Sequence, residues 1–329
     1  MEASGVPFKA IYTGKLRRYF SWQNLSDPLK VLLGFFQSLV VVGRFKPDVV
    51  FGKGGFVTVP VIRAARLWRV PVVLHESDVL PGLANRLGAG VATTIAVSFP
   101  VEEVRGLPPE KLVFTGNPIG REALTSQAGR AQKRFRLERG LPVVLVVGGS
   151  QGSASLNALV TAALPALLSQ AQVVHQVGQR SATEYVKQRQ AMEAGARRRY
   201  HVRAYLENPD LFDLYAAADV IIARAGAGVL GGIAAAGKPA VLVPLPKRVS
   251  GHQAYNAAYY ADHGAAVVLD QEQADGATLT RVVRQLLQNP QRRAEMGRQA
   301  HRLATPEATE RLTELIWQAA KPAARERRG

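Results

Sequence analysis

The chain has 329 residues, room for two domains of ordinary size, and its 47% hydrophobic content supports a packed core and excludes a disordered chain. It has no cysteine, which excludes disulfides, thiolate metal sites and a cysteine nucleophile and fits a cytoplasmic protein. A net charge of +17 predicts attraction to polyanions, whether nucleic acid, an anionic membrane or a diphosphate substrate. Nucleic acid is not expected, because neither zinc-finger spacing nor an aromatic–basic RNA-binding pattern occurs. Much of the arginine lies in Arg130–Arg139, Arg197–Arg199 and Arg325–Arg328, which read as solubilising charge in a linker, a loop and a tail.

In chain order, the opening MEASGVPFKA has neither a basic segment nor an apolar run, so no signal peptide is expected. The run LKVLLGFFQSLVVV (29–42) is too short to span a bilayer. Leu29, Leu32, Phe35 and Phe36 fall at helical spacing within it, ringed by Lys15, Arg17, Arg18, Lys30 and Arg44. Such a helix either faces the core or lies in an anionic interface. Strands are expected at Val49–Phe51, Val70–His75 and Thr93–Ser98, followed by the turn Gly116-Asn117-Pro118. Residues 125–140 are polar and basic and read as an interdomain linker.

A second series follows. Strands are expected at Pro142–Val147, Gln172–Gln176, Arg203–Tyr205, Val220–Ala223, Ala240–Pro244 and Ala265–Leu269. Helices are expected at Leu156–Leu168, Leu211–Ala217, Val229–Ala236 and Ala254–Asp262, then at Ala277–Leu287, Gln291–Ala304 and Pro306–Ala319. The strands are continuously apolar and alternate with helices, the pattern of parallel sheets covered on both faces. The expectation is an α/β chain with two Rossmann-like domains facing across a cleft. Residues 1–124 would form the first, 125–140 the linker, 141–305 the second, and 306–329 a terminal helix and basic tail.

Three glycine-rich segments end strands: Gly52-Lys53-Gly54-Gly55-Phe56, Gly148-Gly149-Ser150-Gln151-Gly152 and Arg224-Ala225-Gly226-Ala227-Gly228. At that position small residues let backbone N–H groups and a helix N-terminus approach phosphate oxygens. One such loop is also consistent with a simple tight turn; three favour phosphate binding. None is a Walker loop, and none has the dinucleotide fingerprint. His75-Glu76 closes a strand at the same rim, where the pair either moves a proton and orients an acceptor or caps the strand. His175 reads as packing, and the six histidines lack metal-ligand spacing.

Several segments together resemble the MurG family of glycosyltransferases. They are KPDVVFGKGGFV (46–57), PVVLHESD followed by PGLAN (71–85), TGNPI (115–119), VVGGSQGS (146–153), RAGA (224–227), IAAAGKP (233–239) and HQ with NA (252–257). The resemblance runs through almost the whole chain in order. It implies a GT-B fold and inverting transfer of N-acetylglucosamine from UDP-GlcNAc to undecaprenyl-diphosphate-muramoyl-pentapeptide, with no cofactor and no essential protein-bound metal. It further implies a peripheral position on the cytoplasmic face of the bacterial membrane, other cell-wall assembly proteins as partners, and a membrane role for Leu29, Leu32, Phe35 and Phe36. By position, Ser150, Gln151, Leu206, Ala227, Gly228, Val229, Leu230, His252, Gln253, Asn256 and Arg121 correspond to the donor side. Gly52, Gly54, Gly55, Asp78 and Asn85 correspond to the acceptor side, with His75 and Glu76 as catalytic candidates. A diacylglycerol glycosyltransferase and a catalytically silent sugar-nucleotide-binding scaffold are the alternatives.

Four departures stand against the family pattern. Its opening strand and G-G-T-G-G-H loop are missing, about one βαβ unit of roughly 30 residues, so Met1 is expected to be an internal start and the first domain incomplete. The glutamate that grips the ribose falls at Gly232, an expected loss of about 1.5–3 kcal/mol. Gly120 takes the place of an arginine, with Arg121 next to it, and Asp78 replaces an asparagine.

Overall fold

The computed structural model describes residues 5–13, 23–149 and 151–326, with side chains for all of these except 23–29 and 322–326. The chain divides into two compact units, Met1–Gly116 with Thr309–Gly329, and Asn117–Ala308.

In the first unit, helix α1 (Gln23–Phe45) precedes β1 (Val50–Gly52), α2 (Thr58–Leu67), β2 (Val72–Glu76), α3 (Leu83–Gly88), β3 (Thr94–Val97) and β4 (Leu112–Phe114). The four strands form one parallel sheet in the order β1-β2-β3-β4. Strand β2 is buried along its whole length, which is why it reads as an unbroken apolar run up to His75 and Glu76. Helix α1 packs on α2, and the indole of Trp68 donates to the Leu39 carbonyl at 3.1 Å. Strand β4, the three-residue apolar stretch Leu112-Val113-Phe114 between polar turns, is too brief to stand out and goes unrecognised in the sequence.

The second unit opens with α4 (Ala128–Phe135), then β5 (Val143–Val147), α5 (Ala154–Leu168), β6 (Gln172–Gln176), α6 (Ala182–Gln190), α7 (Ala194–Arg199) and β7 (Tyr200–Arg203). It continues with α8 (Asn208–Ala217), β8 (Val220–Ala223), α9 (Ala227–Ala236), β9 (Ala240–Leu242), α10 (Gly251–Asp262) and β10 (Ala266–Val268). Helices α11 (Gly276–Leu287) and α12 (Pro290–Arg302) complete it, and α13 (Ala308–Glu326) returns to the first unit. All six strands are parallel in the order β10-β9-β8-β5-β6-β7. Counted from β5, this is the dinucleotide-fold order 3-2-1-4-5-6, whose switch point lies beside the first strand. The core is Val144, Val146, Ile222 and Val241 from the sheet, with Leu156, Val160 and Leu164 of α5 and Leu279 and Val283 of α11 packed over them.

Three expectations differ from the structure. Residues 125–140 are not a bare linker, because α4 packs on α8 there. Asp213 accepts from Arg130 Nε and Nη2 and from the Gln127 backbone N–H, each at 2.7 Å, and Arg134 pairs with Asp210 at 2.9 Å. The basic character of the segment serves this docking, so the unit boundary falls at Gly116/Asn117 rather than at 124/125. The arginines 197–199 end helix α7 instead of lying in a loop, and β7 starts three residues before the expected strand.

Candidate functional site

The first unit carries a cavity of about 300 Å³ at the carboxyl rim of its sheet, lined by Lys53, Gly54, Gly55, Glu76, Asp78 and Asn85 among others. Gly54 and Gly55, at φ 78° and 82°, turn the chain from β1 into α2, and Gly52 lies buried at the end of β1. Desolvation at this rim lowers the pKa of the Lys53 ammonium. Lys53 belongs to the recognised glycine loop, yet glycine spacing alone does not single out its side chain.

Glu76 and His75 are both buried, with distinct tasks. Glu76 Oε1 accepts from the Asp78 backbone N–H at 3.0 Å, and Oε2 accepts from the Gly82 N–H at 2.9 Å and from Asn85 Nδ2 at 2.8 Å. One carboxylate thereby holds both ends of the 77–82 turn and the start of α3. His75 Nε2 lies 3.3 Å from the Gly116 carbonyl, which can only accept, so that nitrogen carries the proton. Nδ1 then accepts from Ser77 Oγ at 3.3 Å. Burial, with Lys53 adding to it, lowers the His75 pKa to about 4, so the ring is neutral at physiological pH. The arrangement makes His75 a link between β2 and the Gly116 turn. Asn85 Nδ2 also donates to the His75 carbonyl, while Asn85 Oδ1 is buried without a protein partner beside the cavity.

The second unit presents its glycine loops at the carboxyl ends of β5 and β8, adjacent central strands. Ser150 lies outside the described residues. Gln151 is exposed at the loop tip. Gly152, at φ 75°, packs against Gly178, and a Cβ on Gly152 would lie 2.3 Å from the Val177 carbonyl oxygen. This contact lets the loop fold back into α5, whose N-cap Ser153 accepts from the Leu156 N–H at 3.4 Å. Gln176, at the end of β6, ties two parts together. Its Nε2 donates to the Gly149 carbonyl at 2.8 Å and its Oε1 accepts from the Leu206 N–H at 3.1 Å. No motif points to Gln176; only its burial at a strand end does.

Helix α9 begins at Ala227, with Gly228 exposed and Val229 half-buried on its first turn. Leu230 is buried, and its carbonyl accepts from Tyr260 Oη at 3.1 Å, so its side chain belongs to the core rather than to a ligand surface. Asn256 is likewise fully buried and donates to the Ala225 carbonyl at 3.1 Å, fixing the turn that leads into α9. Gln253 accepts from the Leu245 N–H at 3.1 Å; His252 and Gln253 lie on the first turn of α10. Arg121 is exposed at the start of a short helical turn. Gly232 has a steric cause: a Cβ there would lie 2.6 Å from Tyr215 Cε2, and the Tyr215 hydroxyl is buried without a protein partner.

On α1, Leu32 and Phe36 are 51% and 55% exposed, whereas Phe35 is half-buried. The side chain of Leu29, like Lys15, Arg17 and Arg18, lies outside the described set. Phe36 lines an apolar groove of about 780 Å³ with Leu33, Val40 and Phe45, and Lys9 and Arg44 border it. No helix among the described residues is long and apolar enough to cross a membrane. No cluster of His, Asp or Glu among them could hold a metal ion.

Comparison with known proteins matches residues 1–97 to the glycosyltransferase family 28 N-terminal domain and 143–312 to its C-terminal domain. A Clostridium botulinum (strain Loch Maree / Type A3) protein is 40% identical over 88% of this chain and 79% of its own length. A Legionella pneumophila (strain Paris) protein is 37% identical over 96% and 84%. Both are named UDP-N-acetylglucosamine--N-acetylmuramyl-(pentapeptide) pyrophosphoryl-undecaprenol N-acetylglucosamine transferase. The crystal structure of Acinetobacter baumannii MurG superposes with a TM-score of 0.71 at 28% identity, covering 96% of this chain and 86% of that one. A Neisseria meningitidis UDP-GlcNAc 2-epimerase shares the fold at a TM-score of 0.66 and 13% identity. With two parallel Rossmann-like units, both family domains and this identity along most of its length, the chain belongs to the MurG family of GT-B glycosyltransferases.

Proposed function

We propose that the chain transfers N-acetylglucosamine from UDP-GlcNAc to undecaprenyl-diphosphate-muramoyl-pentapeptide in peptidoglycan synthesis. The observation that carries this reading is the 40% identity, over 88% of the chain, to a relative named for that reaction. The strand order of the second unit supports it, since ligands of open α/β sheets bind beside the first strand at the carboxyl edge, where the loop of Gly148–Gly152 and the start of α9 lie. In the transfer, an acceptor hydroxyl attacks the anomeric carbon and gives up its proton to water while the bond to the diphosphate oxygen breaks. Negative charge grows on the leaving UDP. Backbone N–H groups at the N-termini of α5 and α9 are suited to that charge.

On this reading, Gln151, Ala227, Gly228, Val229, His252 and Gln253 border the donor, while Leu206, Leu230 and Asn256 shape its surroundings. The cavity of the first unit takes the polar part of the acceptor, with Asp78, Asn85 and Lys53 at its wall. Glu76 and His75 position that wall and do not exchange protons with substrate. The apolar groove on α1, bordered by Lys9 and Arg44, supports a peripheral position on an anionic membrane. Incubation with radiolabelled UDP-GlcNAc and a soluble lipid-linked acceptor analogue tests the reading. Transfer to that acceptor is the expected result. Transfer only to diacylglycerol, or binding of UDP-GlcNAc without turnover, would replace it.

A further inference from the structure

Arg224, at the carboxyl end of β8, is only 3% exposed, and among the described residues its guanidinium bonds only to neutral acceptors. Nη1 donates to the carbonyls of Val243 and Pro244 at 2.6 and 3.2 Å. Nε donates to Ser153 Oγ at 3.0 Å. The two hydrogens of Nη2 are shared among three acceptors, Ser153 Oγ at 2.8 Å and Ser155 Oγ and Gln271 Oε1, both at 2.6 Å. The acceptors come from three places: the start of α5, the end of β9 and the segment after β10. One side chain thus fastens three strand ends at the rim where the glycine loop turns into α5. It is followed within three residues by the first residue of α9.

Burial lowers the Arg224 pKa to about 10, still far above physiological pH, so the group remains a cation. A buried cation is normally offset by a carboxylate, because removing its water is costly. Here the hydrogen bonds are satisfied, but among the described residues no carboxylate pairs with the charge. It lies alongside the positive ends of two helices, where a carboxylate would compete with an incoming anion.

We infer that Arg224 is a positioning residue of the donor site, which both locks the phosphate-binding loop against β9 and β10 and supplies an uncompensated positive potential for a nucleotide diphosphate. The inference rests on the proposed donor site and names the group that sets its charge. It requires no direct contact between the guanidinium and the ligand.

The discriminating variant is Gln271→Glu, which is nearly isosteric, keeps an acceptor against Nη2 and places a carboxylate on the cation. Binding of UDP, uridine and inorganic diphosphate is measured by calorimetry for the wild type, Gln271→Glu and Arg224→Lys, with thermal melting to confirm folding. Gln271→Glu is expected to weaken UDP and inorganic diphosphate about tenfold, to leave uridine within about twofold, and to melt no earlier than the wild type. Arg224→Lys, which keeps the charge with fewer bonds, is expected to lose less UDP affinity than Gln271→Glu. Equal losses for UDP and uridine would reduce Arg224 to a structural tie, and no loss in Gln271→Glu would overturn the electrostatic role. If the wild type binds inorganic diphosphate in an Arg224-dependent way but neither UDP nor uridine, the anion site stands and the nucleotide-sugar reading falls. Absence of all three from the wild type overturns both.

Discussion

At the residue scale, the two catalytic candidates in the sequence are groups whose polar atoms are already engaged. Glu76 accepts three hydrogen bonds, from two backbone N–H groups and Asn85. Glu76→Gln replaces an accepting oxygen with a donor, so the 77–82 turn loses a charge-assisted bond worth about 1.5–3 kcal/mol. The expected result is a lower melting temperature and a raised KM for the lipid acceptor, with the shape of the kcat–pH profile unchanged. Disappearance of the acid limb of that profile would restore Glu76 as a base. The histidines make a second prediction. Burial lowers His75 to about 4, His175 to about 3 and His201 to about 4, with nearby arginines contributing at His201. Below about pH 6.5 the unfolded chain takes up protons that the folded chain refuses. Their contribution is therefore fully present above that pH and is lost as pH falls toward 4. The urea midpoint should decline between pH 6.5 and 5, a window above most carboxylate titration, and His201→Gln should flatten the decline. A midpoint constant across that window would contradict it.

At the scale of elements, Gly232 shows why a motif departure need not be an empty space. The missing side chain on α9 is matched by the Tyr215 ring of α8 lying against the glycine. Alanine in a helix gains about 1 kcal/mol over glycine, but overpacking a rigid contact costs about 1–3 kcal/mol. Gly232→Ala is thus expected to destabilise the protein by about 1 kcal/mol, read as a shift in the urea midpoint, and Gly232→Ala with Tyr215→Leu to recover it. A stabilised single variant would mean that the ring moves freely. The central strands were legible because burial on both faces writes unbroken apolar runs: β8 (VIIA) falls at the expected residues and β5 (VVLVV) begins one residue inside the expected strand. Strand β4 and helices α6 and α7 were not, being short, polar or arginine-rich. Among site residues, glycine loops were visible by spacing. The tying roles of Gln176 and of Arg224, itself inside the recognised Arg224–Gly228 segment, were not, because a residue that ties loops together does so through partners far along the chain.

At the scale of the whole molecule, charge and apolar surface point the same way. The groove on α1 combines exposed Phe36, Val40 and Phe45 with Lys9 and Arg44, within a chain of net charge +17. Leu32→Ser with Phe36→Ser should reduce flotation with anionic liposomes several-fold while transfer to a water-soluble acceptor analogue is retained. Phe35→Ser, at a half-buried position, should lower stability instead. Unchanged flotation of the double variant would remove this face from membrane binding.

The order of the strands in the second unit also governs how that unit comes into being. Its first strand, β5, is central, and Val144 pairs with Val220, 76 positions later, since 220 less 144 is 76. No pairing in the sheet can be made by a tight hairpin, because parallel neighbours demand a crossover. Closure entropy must be met before each pairing contributes stability, so the unit should assemble in milliseconds or longer rather than microseconds. During synthesis the apolar strand VVLVV (143–147) waits for its second neighbour until β8 has left the ribosome. The same centrality that places the glycine loop at the switch point leaves β5 with one edge unpaired until most of the unit's strands have been made.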